Sequence, residues 1–252
     1  MRIEMRRAMI ASMTLVLAVM AGQVQASLLA VETFNYSAGA AVDGLNGGTG
    51  WGGAWTSDVP WSVTSPGLTV ASLKIASPDN AVACNSSSTV NKTITRSLSS
   101  AQTNGVRYLG VLLRYNSGSV QGGYVSVVNG TSYGFKIGWK VDTFWNITAA
   151  GSGANSWGTT VNTAIPVVAG QAVLAVVKVN IDTKEVSLYI NQATEGTPDA
   201  TTTAGRFGML SVSSRMNNGG TSSVDDIRIG TTYADVVAGA VPQVAPTAGF
   251  TV

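Results

Sequence analysis

The sequence predicts an all-β fold, either a sandwich or a barrel, from its pattern and from its composition. Helical periodicity is absent after residue 26, and short apolar or alternating runs recur between clusters of Gly, Asn, Ser and Pro, which is typical of sandwiches and barrels. Only 11% of the 252 residues are charged and 29 are Gly, which suits a turn-rich extracellular β domain. We expect strands near residues 30–36, 60–64, 68–75, 90–97, 106–115, 122–128, 132–138, 143–148, 171–180, 185–190, 206–214 and 223–229.

Three segments carry most of the strand prediction, namely Tyr108–Leu113, Ala172–Val177 and the hairpin Val179–Tyr189, and Tyr124–Val128 adds a further strand. Tyr108–Leu113 and Ala172–Val177 are nearly continuous apolar runs, which indicates strands covered on both faces, or strands with one face against an inner loop. Tyr124–Val128 is rich in aromatic and β-branched residues, which favour a pleated surface. Val179–Tyr189 predicts a hairpin, because the polar turn Asp182–Glu185 is flanked by apolar residues on both sides.

The stretches between these strands are predicted to be loops. Residues 151–160 are rich in Gly, Ser and Asn, and residues 193–205 are polar and contain Pro198. From residue 238 onward no strand pattern is present, and 238–252 is expected to be a flexible tail. Cys84 lies in an alternating stretch and is interpreted as a small buried hydrophobe, and a single cysteine excludes an intrachain disulfide.

The first 26 residues are typical of a secretory signal peptide. Arg2, Arg6 and Arg7 form a basic start, Ala8–Ala21 is an apolar run, and small residues place the cleavage after Ala26. An uncleaved anchor is the alternative, although the run is shorter than the ~20 apolar residues that span a bilayer. We therefore expect 1–26 to be removed, leaving a secreted or cell-surface domain over 27–237 with no membrane span.

Charge and residue types exclude several function classes. Three Arg and one Glu lie in the signal segment, so the 15 basic and 13 acidic residues of the chain become 12 and 12 after cleavage. A neutral domain is not expected to bind nucleic acid. The chain has no His, which excludes a Ser-His-Asp triad and a zinc site with a His ligand.

Two motifs near the ends of the domain carry a resemblance to a known family. The first combines Glu32-Thr33-Phe34-Asn35-Tyr36 with the Gly- and Trp-rich stretch Gly44–Trp55, and the second is Val224–Val236. Together with Val177–Thr197 they resemble the concanavalin A-like (laminin G-like) lectin and glucanase domains of bacterial secreted proteins. The resemblance implies an all-β jelly-roll sandwich of two antiparallel sheets. Many relatives carry a C-terminal sorting tail, which is absent here, so release or another route of attachment is expected.

The opening motif has two interpretations. Its glycines permit positive φ and close backbone approach, and Trp51 and Trp55 interrupt them with large apolar surfaces. The loop could fold over both tryptophans and cap one end of the core. Alternatively, one of the tryptophans could form a platform for a sugar.

Carbohydrate binding would use flat aromatic faces that stack on sugar rings. The candidates lie close together in the sequence: Trp139, Trp145, Trp157, Tyr124 and Tyr133. The alternative for Trp139 and Trp145 is packing in the core. Trp157 lies within the Gly- and Ser-rich stretch and is the candidate that we expect to be exposed.

The resemblance also implies a structural calcium ion between the first and last strands. Glu32 and Asp226 are the residues that match, with Asp225 as a further candidate, and carboxylate oxygens are suitable calcium ligands. The alternative is that Asp226 lies in solvent or pairs with Arg228.

A catalytic role has little support in the sequence. A retaining glycosidase needs two carboxylates about 5 Å apart, and hydrolases of this superfamily place both on one strand. The nearest match, Asn180–Glu185, has Asn180 at the position of the nucleophile, and Asp225 and Asp226 are adjacent and so point to opposite faces. We therefore expect a secreted, non-catalytic module whose partner is a polysaccharide, another extracellular glycan or the matrix. The alternatives are a structural cell-surface protein without a small ligand and a degenerate glycoside hydrolase.

Overall fold

The computed structural model describes the chain from residue 28 to residue 237 with internal gaps. The described ranges are 28–57, 61–77, 79–84, 92–118, 123–129, 132–139, 144–150, 157–204, 209–216 and 220–237. The predicted signal peptide and the predicted tail both lie outside them. In the described part of the chain, no helix is long and apolar enough to cross a membrane.

The regular secondary structure of the described residues is almost entirely β-strand. In chain order the strands are β1 (Leu28–Glu32), β2 (Thr56–Ser57), β3 (Trp61–Thr64), β4 (Thr69–Val70), β5 (Ile75–Ala76), β6 (Ala81–Cys84), β7 (Lys92–Gln102), β8 (Val106–Gly118), β9 (Gly123–Asn129), β10 (Ser132–Trp139), β11 (Phe144–Ala150), β12 (Trp157–Pro166), β13 (Ala172–Asn180), β14 (Glu185–Ile190), β15 (Ala200–Thr203), β16 (Met209–Met216) and β17 (Gly220–Gly230). A 3₁₀ turn, Ala71–Leu73, separates β4 from β5, and a short helix α1, Tyr233–Val236, follows β17.

Two large antiparallel sheets form the jelly-roll sandwich that the sequence predicts. The first, with eight strands, runs β15-β14-β13-β8-β17-β6-β3, and β1 pairs with the C-terminal half of β17. The second, with seven strands, runs β12-β11-β10-β9-β16-β7-β2. A main apolar core fills the space between the two sheets, because one face of each sheet contributes to the same cluster.

The eight-stranded sheet is covered on both faces, which explains its continuous apolar runs. Along β8, Leu109 and Val111 pack in the main core, whereas the alternate residue Leu112 packs in a second cluster on the outer face. β13 repeats this arrangement with Val173 inside and Leu174 outside. The second cluster is closed by residues of the β4–β5 segment and of α1. Each such side chain contributes about 1.5–3 kcal/mol on burial, so the prediction of strands covered on both faces is confirmed.

The predicted hairpin is also confirmed. β13 and β14 pair from Ala175 opposite Ile190 to Asn180 opposite Glu185. The Asn180 carboxamide oxygen accepts the backbone N–H groups of Asp182 and Thr183, both at 3.1 Å. Asn180 therefore builds the turn through a local side-chain bond, which is a common role of Asn.

Four strands were not expected from the sequence, and one of them, β2, is only two residues long. β12 begins within the stretch 151–160, which was predicted as a loop, and β15 lies in the predicted excursion 193–205. Both are edge strands of their sheets, where one side meets solvent and polar residues replace the apolar alternation. β6 is short and buried along its whole length, so it has no alternation either.

Candidate functional site

Trp139 and Trp145 lie in the core, as in the packing alternative. Their side chains are 4% and 1% exposed. The two rings meet edge to face with centroids 5.3 Å apart, and Tyr115 contacts Trp139 from the opposite sheet at 5.4 Å. Neither indole presents a face on which a sugar could stack, because both faces are covered by protein.

For the other three aromatic candidates, the structure describes the position of the backbone only. Trp157 begins β12 opposite Ala150, and Tyr124 lies opposite Gly138. Tyr133 lies at the start of β10 beside a register shift. The side chains of Trp157, Tyr124 and Tyr133 lie outside the described part of the structure, so their role in binding stays a prediction.

A row of polar side chains crosses the outer face of the seven-stranded sheet. The strand registers align its members from one edge of the sheet to the other: Thr56 on β2, Thr95 on β7, Ser126 on β9, Lys136 on β10, Thr148 on β11 and Thr160 on β12. Between β7 and β9 lies β16, where the backbone of Ser213 pairs with Thr95 on one side and with Ser126 on the other. We call this set the hydroxyl row.

The hydroxyl row faces away from the core. The residues that precede or follow its members along the strands, such as Ile94, Val125, Ile137 and Ile147, belong to the main core. Successive side chains of a strand point to opposite faces of the sheet, so the row belongs to the outer face. Single-sequence reasoning missed it, because its members come from strands far apart in the chain and only the register brings them into line.

The geometry of the hydroxyl row leaves its two ends open to solvent. Thr56 and Thr160 are exposed at the edges, and Lys136 is half-buried near the middle. The hydroxyl oxygens of Thr148 and Thr160 are 2.8 Å apart. At the β2 edge, an open pocket of about 330 Å³ is lined by Thr56, Ser57, Thr93 and Thr95.

This chemistry suits a ligand that is rich in hydroxyl groups. Each exposed Ser or Thr hydroxyl can donate one hydrogen bond and accept two, whereas Ser126, Asn146 and Thr148 are 3%, 3% and 1% exposed and so do not meet solvent. Sugars need donors and acceptors in alternation, which such a surface supplies without any change of protonation state.

Glu32 is at the centre of a buried network that holds the opening motif. One carboxylate oxygen accepts the N–H of Phe34 at 2.9 Å, and the other accepts the Tyr36 hydroxyl at 2.9 Å and the Trp55 indole N–H at 3.1 Å. The Arg96 guanidinium forms an ion pair with the same oxygen, and both side chains are 1% exposed. Burial, together with the Glu32 carboxylate, raises the pKa of Tyr36 to about 12.

Arg96 links this network to the glycine-rich loop. Its guanidinium donates to the carbonyl of Gly53 and to the side-chain oxygen of Asn46, both at 2.7 Å, and lies 5.1 Å from the ring centre of Trp51. Trp55 is buried beneath the loop. The opening motif therefore caps one end of the core, as in the first of its two interpretations. Arg96, which links the network to the glycine-rich loop, is the residue that sequence reasoning did not single out.

Asp225 and Asp226 are both buried in β17. Asp225 accepts the backbone N–H of Leu68 at 2.8 Å and that of Asp226 at 2.7 Å, and so ties the segment before β4 to the sheet. Burial raises the pKa of Asp225 to about 7. Burial also raises the pKa of Asp226, which the Arg228 guanidinium opposes with a hydrogen bond of 2.7 Å.

The proposed calcium ligands do not fit a calcium site in this arrangement. Glu32 already binds Arg96, and Asp226 binds Arg228 through both carboxylate oxygens. A cation would have to displace both guanidinium groups. Among the described residues, no three His, Cys, Asp or Glu side chains converge on a possible metal position.

The fold has counterparts among known structures. No protein-family model and no curated protein match the chain. A structure of botulinum neurotoxin type C, which depends on two ganglioside molecules to enter cells, matches with a TM-score of 0.54 and 12% identity over 82% of this chain. The binding domain of botulinum neurotoxin DC in complex with SialylT gives 0.53 and 13% over 82%, and the globular domain of T. cruzi calreticulin gives 0.53 and 10% over 83%.

These comparisons establish the β-sandwich fold and nothing finer. The match covers 48% of each neurotoxin chain, so this chain spans about half their length, and it covers 90% of the calreticulin chain. At such low identities the likeness does not transfer a binding site. The site must therefore be argued from the residues of this chain.

Proposed function

We propose that the chain is a secreted, non-catalytic module that binds carbohydrate on the outer face of its seven-stranded sheet. The observation that carries this proposal is the hydroxyl row, from Thr56 at one edge to Thr160 at the other. The ganglioside-dependent neurotoxin with the same fold supports it as a precedent. The sugar would lie at the exposed edges of the row and exchange its bonds to water for bonds to Thr56 or Thr160.

The energetics of such a surface favour weak, multivalent binding. A hydrogen bond that replaces one to water contributes a net of about 0.5–1.5 kcal/mol. A few bonds of this size, without a deep apolar pocket, correspond to a dissociation constant near the millimolar range, for which about −4 kcal/mol is needed. Repeated units of a polysaccharide would then raise the apparent affinity.

The non-catalytic part of the proposal has support in the placement of carboxylates. The seven strands of the binding sheet contain neither Asp nor Glu. Of the aspartates considered in the sequence, Asp182 lies in a hairpin turn, and Asp225 and Asp226 are buried in the opposite sheet. A retaining glycosidase needs two carboxylates about 5–5.5 Å apart on the sugar-binding face.

Export has support from the sequence. The basic start, the apolar run and the small residues before position 27 fit a signal peptide, and a single cysteine, Cys84, makes the fold independent of disulfides. Cys84 is buried. The domain could therefore fold in any extracellular compartment without an oxidant.

A polysaccharide pull-down and a glycan array test the proposal. Thr160→Val removes one exposed hydroxyl of the row at nearly constant shape, and Thr203→Val makes the same change on β15 of the other sheet. We expect Thr160→Val to weaken retention while Thr203→Val leaves it unchanged. Trp157→Ala, assayed alongside, tests whether Trp157, the aromatic candidate on the edge strand β12, contributes to glycan binding.

Three outcomes would contradict the proposal. Absence of any retained glycan would favour the structural surface protein without a small ligand. Equal loss in both Thr→Val variants would mean that the hydroxyl row is not the binding surface. Hydrolysis of a β-glucan that disappears when one carboxylate is removed would replace the binding module by an enzyme.

A further inference from the structure

The open pocket at the β2 edge of the hydroxyl row has the size of a small-molecule site. Its volume is about 330 Å³, and it is lined by Thr56, Ser57, Thr93 and Thr95. Thr56 is exposed and the other three residues are half-buried. Small-molecule sites typically have volumes of about 300–1,000 Å³, so this pocket lies at the lower end of that range. It can hold a single sugar ring rather than a long segment of a polysaccharide.

Asp43 places a carboxylate beside this pocket. The residue is exposed, and its Oδ1 accepts the backbone N–H of Ser57 at 2.9 Å. The backbone on either side of Asp43 is held in place, because the N–H groups of Val42 and Gly44 donate to backbone carbonyls, both at 2.9 Å. An ionised carboxylate has about four lone-pair sites. The bond to Ser57 therefore leaves Asp43 with further acceptor capacity, in a position that is fixed before a ligand arrives.

Two groups at the pocket offer hydrogen-bond acceptors to a ligand. The Thr56 hydroxyl donates its hydrogen to the carbonyl of Thr95 at 3.2 Å, and its oxygen has two lone pairs that can accept. The ionised Asp43 carboxylate can only accept. A sugar hydroxyl can donate to either group, whereas a carboxylate on the sugar has no hydrogen to donate and would be repelled by the charge of Asp43. The pocket therefore suits a neutral sugar.

We propose that the β2-edge pocket binds one neutral sugar residue, with the Asp43 carboxylate accepting hydrogen bonds from two adjacent sugar hydroxyls. This inference rests on the proposed carbohydrate-binding function and assigns it a pocket and a ligand class. A carboxylate can accept two parallel hydrogen bonds, and two neighbouring hydroxyls of a sugar ring present two donors side by side. Charge-assisted hydrogen bonds are roughly twice as strong as neutral ones, so Asp43 is the residue that determines specificity.

The test compares matched pairs of neutral and acidic sugars. The protein is titrated by saturation-transfer NMR with glucose, galactose and mannose, and with the uronate of each, in which a carboxylate replaces the terminal hydroxymethyl group. We expect at least one neutral hexose to bind with a dissociation constant near the millimolar range. Its uronate should bind about tenfold more weakly, because the added carboxylate carries the same charge as Asp43.

Matched variants locate the site. Asp43→Asn keeps an oxygen that can accept the N–H of Ser57 and removes the charge, so it should weaken binding of the neutral hexose about tenfold. Asp182→Asn is the control, because Asp182 is also exposed and also accepts one backbone N–H, at 3.1 Å, but lies on the hairpin of the other sheet. Thr56→Val should weaken binding as well, and Thr203→Val on β15 should not. Thermal unfolding of each variant checks that the fold is intact.

The outcomes separate this inference from the proposed function. Equal or tighter binding of the uronate would overturn the inference, and tighter binding would favour the basic positions beside Thr93, namely Lys92 before it and Arg215 opposite. Unchanged binding in both Asp43→Asn and Thr56→Val, or an equal loss in Asp182→Asn, would also overturn it. Retention on a polysaccharide without binding of any of the six sugars would overturn this inference alone. Absence of both would overturn the carbohydrate module as well.

Discussion

The buried ion pair between Glu32 and Arg96 should be the most sensitive single contact in the domain. Arg96→Met keeps much of the side-chain volume and removes the charge. The variant would leave the Glu32 carboxylate buried with the N–H of Phe34, the Tyr36 hydroxyl and the Trp55 indole as its remaining donors. It would also remove the partners of a backbone carbonyl and a carboxamide in the glycine-rich loop.

The magnitude follows from burial. Removing one partner of a buried ion pair costs about 3–5 kcal/mol, since a desolvated charge remains. The remaining neutral donors place the expected cost at the lower end, about 3 kcal/mol. In a domain of this size, 1 kcal/mol shifts Tm by about 2–4 °C, so Tm should fall by about 6–12 °C.

Urea denaturation followed by far-UV circular dichroism measures this cost. The control is Lys178→Met, which breaks the ion pair with Glu195, where the two side chains are 35% and 33% exposed and the bond is 2.6 Å. That pair should contribute at most about 1 kcal/mol, because solvent screens it. The double variant Glu32→Gln/Arg96→Met should lose less than the sum of the single variants, since no charge is left unpaired. A cost below about 1 kcal/mol for Arg96→Met would refute the reasoning.

Three further predictions concern pH, backbone strain and metal. Burial raises the pKa of Asp225 from 3.8 to about 7, so the folded chain keeps a proton that the unfolded chain releases. The contribution of Asp225 to the free energy of unfolding should be largest below about pH 4 and should fall by up to about 1.4 kcal/mol per pH unit toward pH 7. A pH series of urea titrations should show this slope, and Asp225→Asn should flatten it. An unchanged slope in Asp225→Asn would contradict the attribution of the slope to Asp225. Gly50→Ala should lower the free energy of unfolding by more than about 1 kcal/mol, because Gly50 has a φ of +81° and a Cβ there would clash with the carbonyl of Leu29. Gly53→Ala is the control and should change it by less than about 0.5 kcal/mol, because a Cβ at Gly53 would meet open space. Chelation should leave Tm unchanged, because both candidate calcium ligands already bind guanidinium groups, and a Tm that rises when calcium is added to stripped protein would contradict this.

The central strands were predictable because their own residues carry the information. The apolar run Tyr108–Leu113 indicates that both faces of the sheet are buried, because its alternate residues pack in two different clusters. The turn after β13 was predictable for a similar reason, because Asn180 bonds to the next residues of the chain. In each case the deciding interactions are local or repeat with the period of the strand.

The network around Glu32 and the hydroxyl row were not predictable in this way. Glu32 was a candidate because it lies in the opening motif. Its ionic partner, Arg96, lies 64 positions away on β7, among serines and threonines that do not mark it as a partner. The row depends on the register of strands from β2 to β16. The identity of a serine on one strand does not indicate which residue lies opposite it on the next strand. Such a row can therefore be recognised only when the register of the strands is known.

The arrangement of the two cores decides which face can bind a ligand. On the eight-stranded sheet, the outer face is occupied by the second cluster, in which Leu112, Leu174 and Val176 are packed under the β4–β5 segment and α1. A ligand there would have to displace buried apolar surface and the bond between Leu68 and Asp225. On the seven-stranded sheet, the polar residues that alternate with the core are exposed at the two edges, at Thr56 and Thr160. Between the edges, Ser126, Asn146 and Thr148 are buried. Recognition of a hydroxyl-rich partner therefore costs least at the edges of the seven-stranded sheet, where Thr56 and Thr160 are exposed, and the Thr160→Val variant tests one of these edges directly.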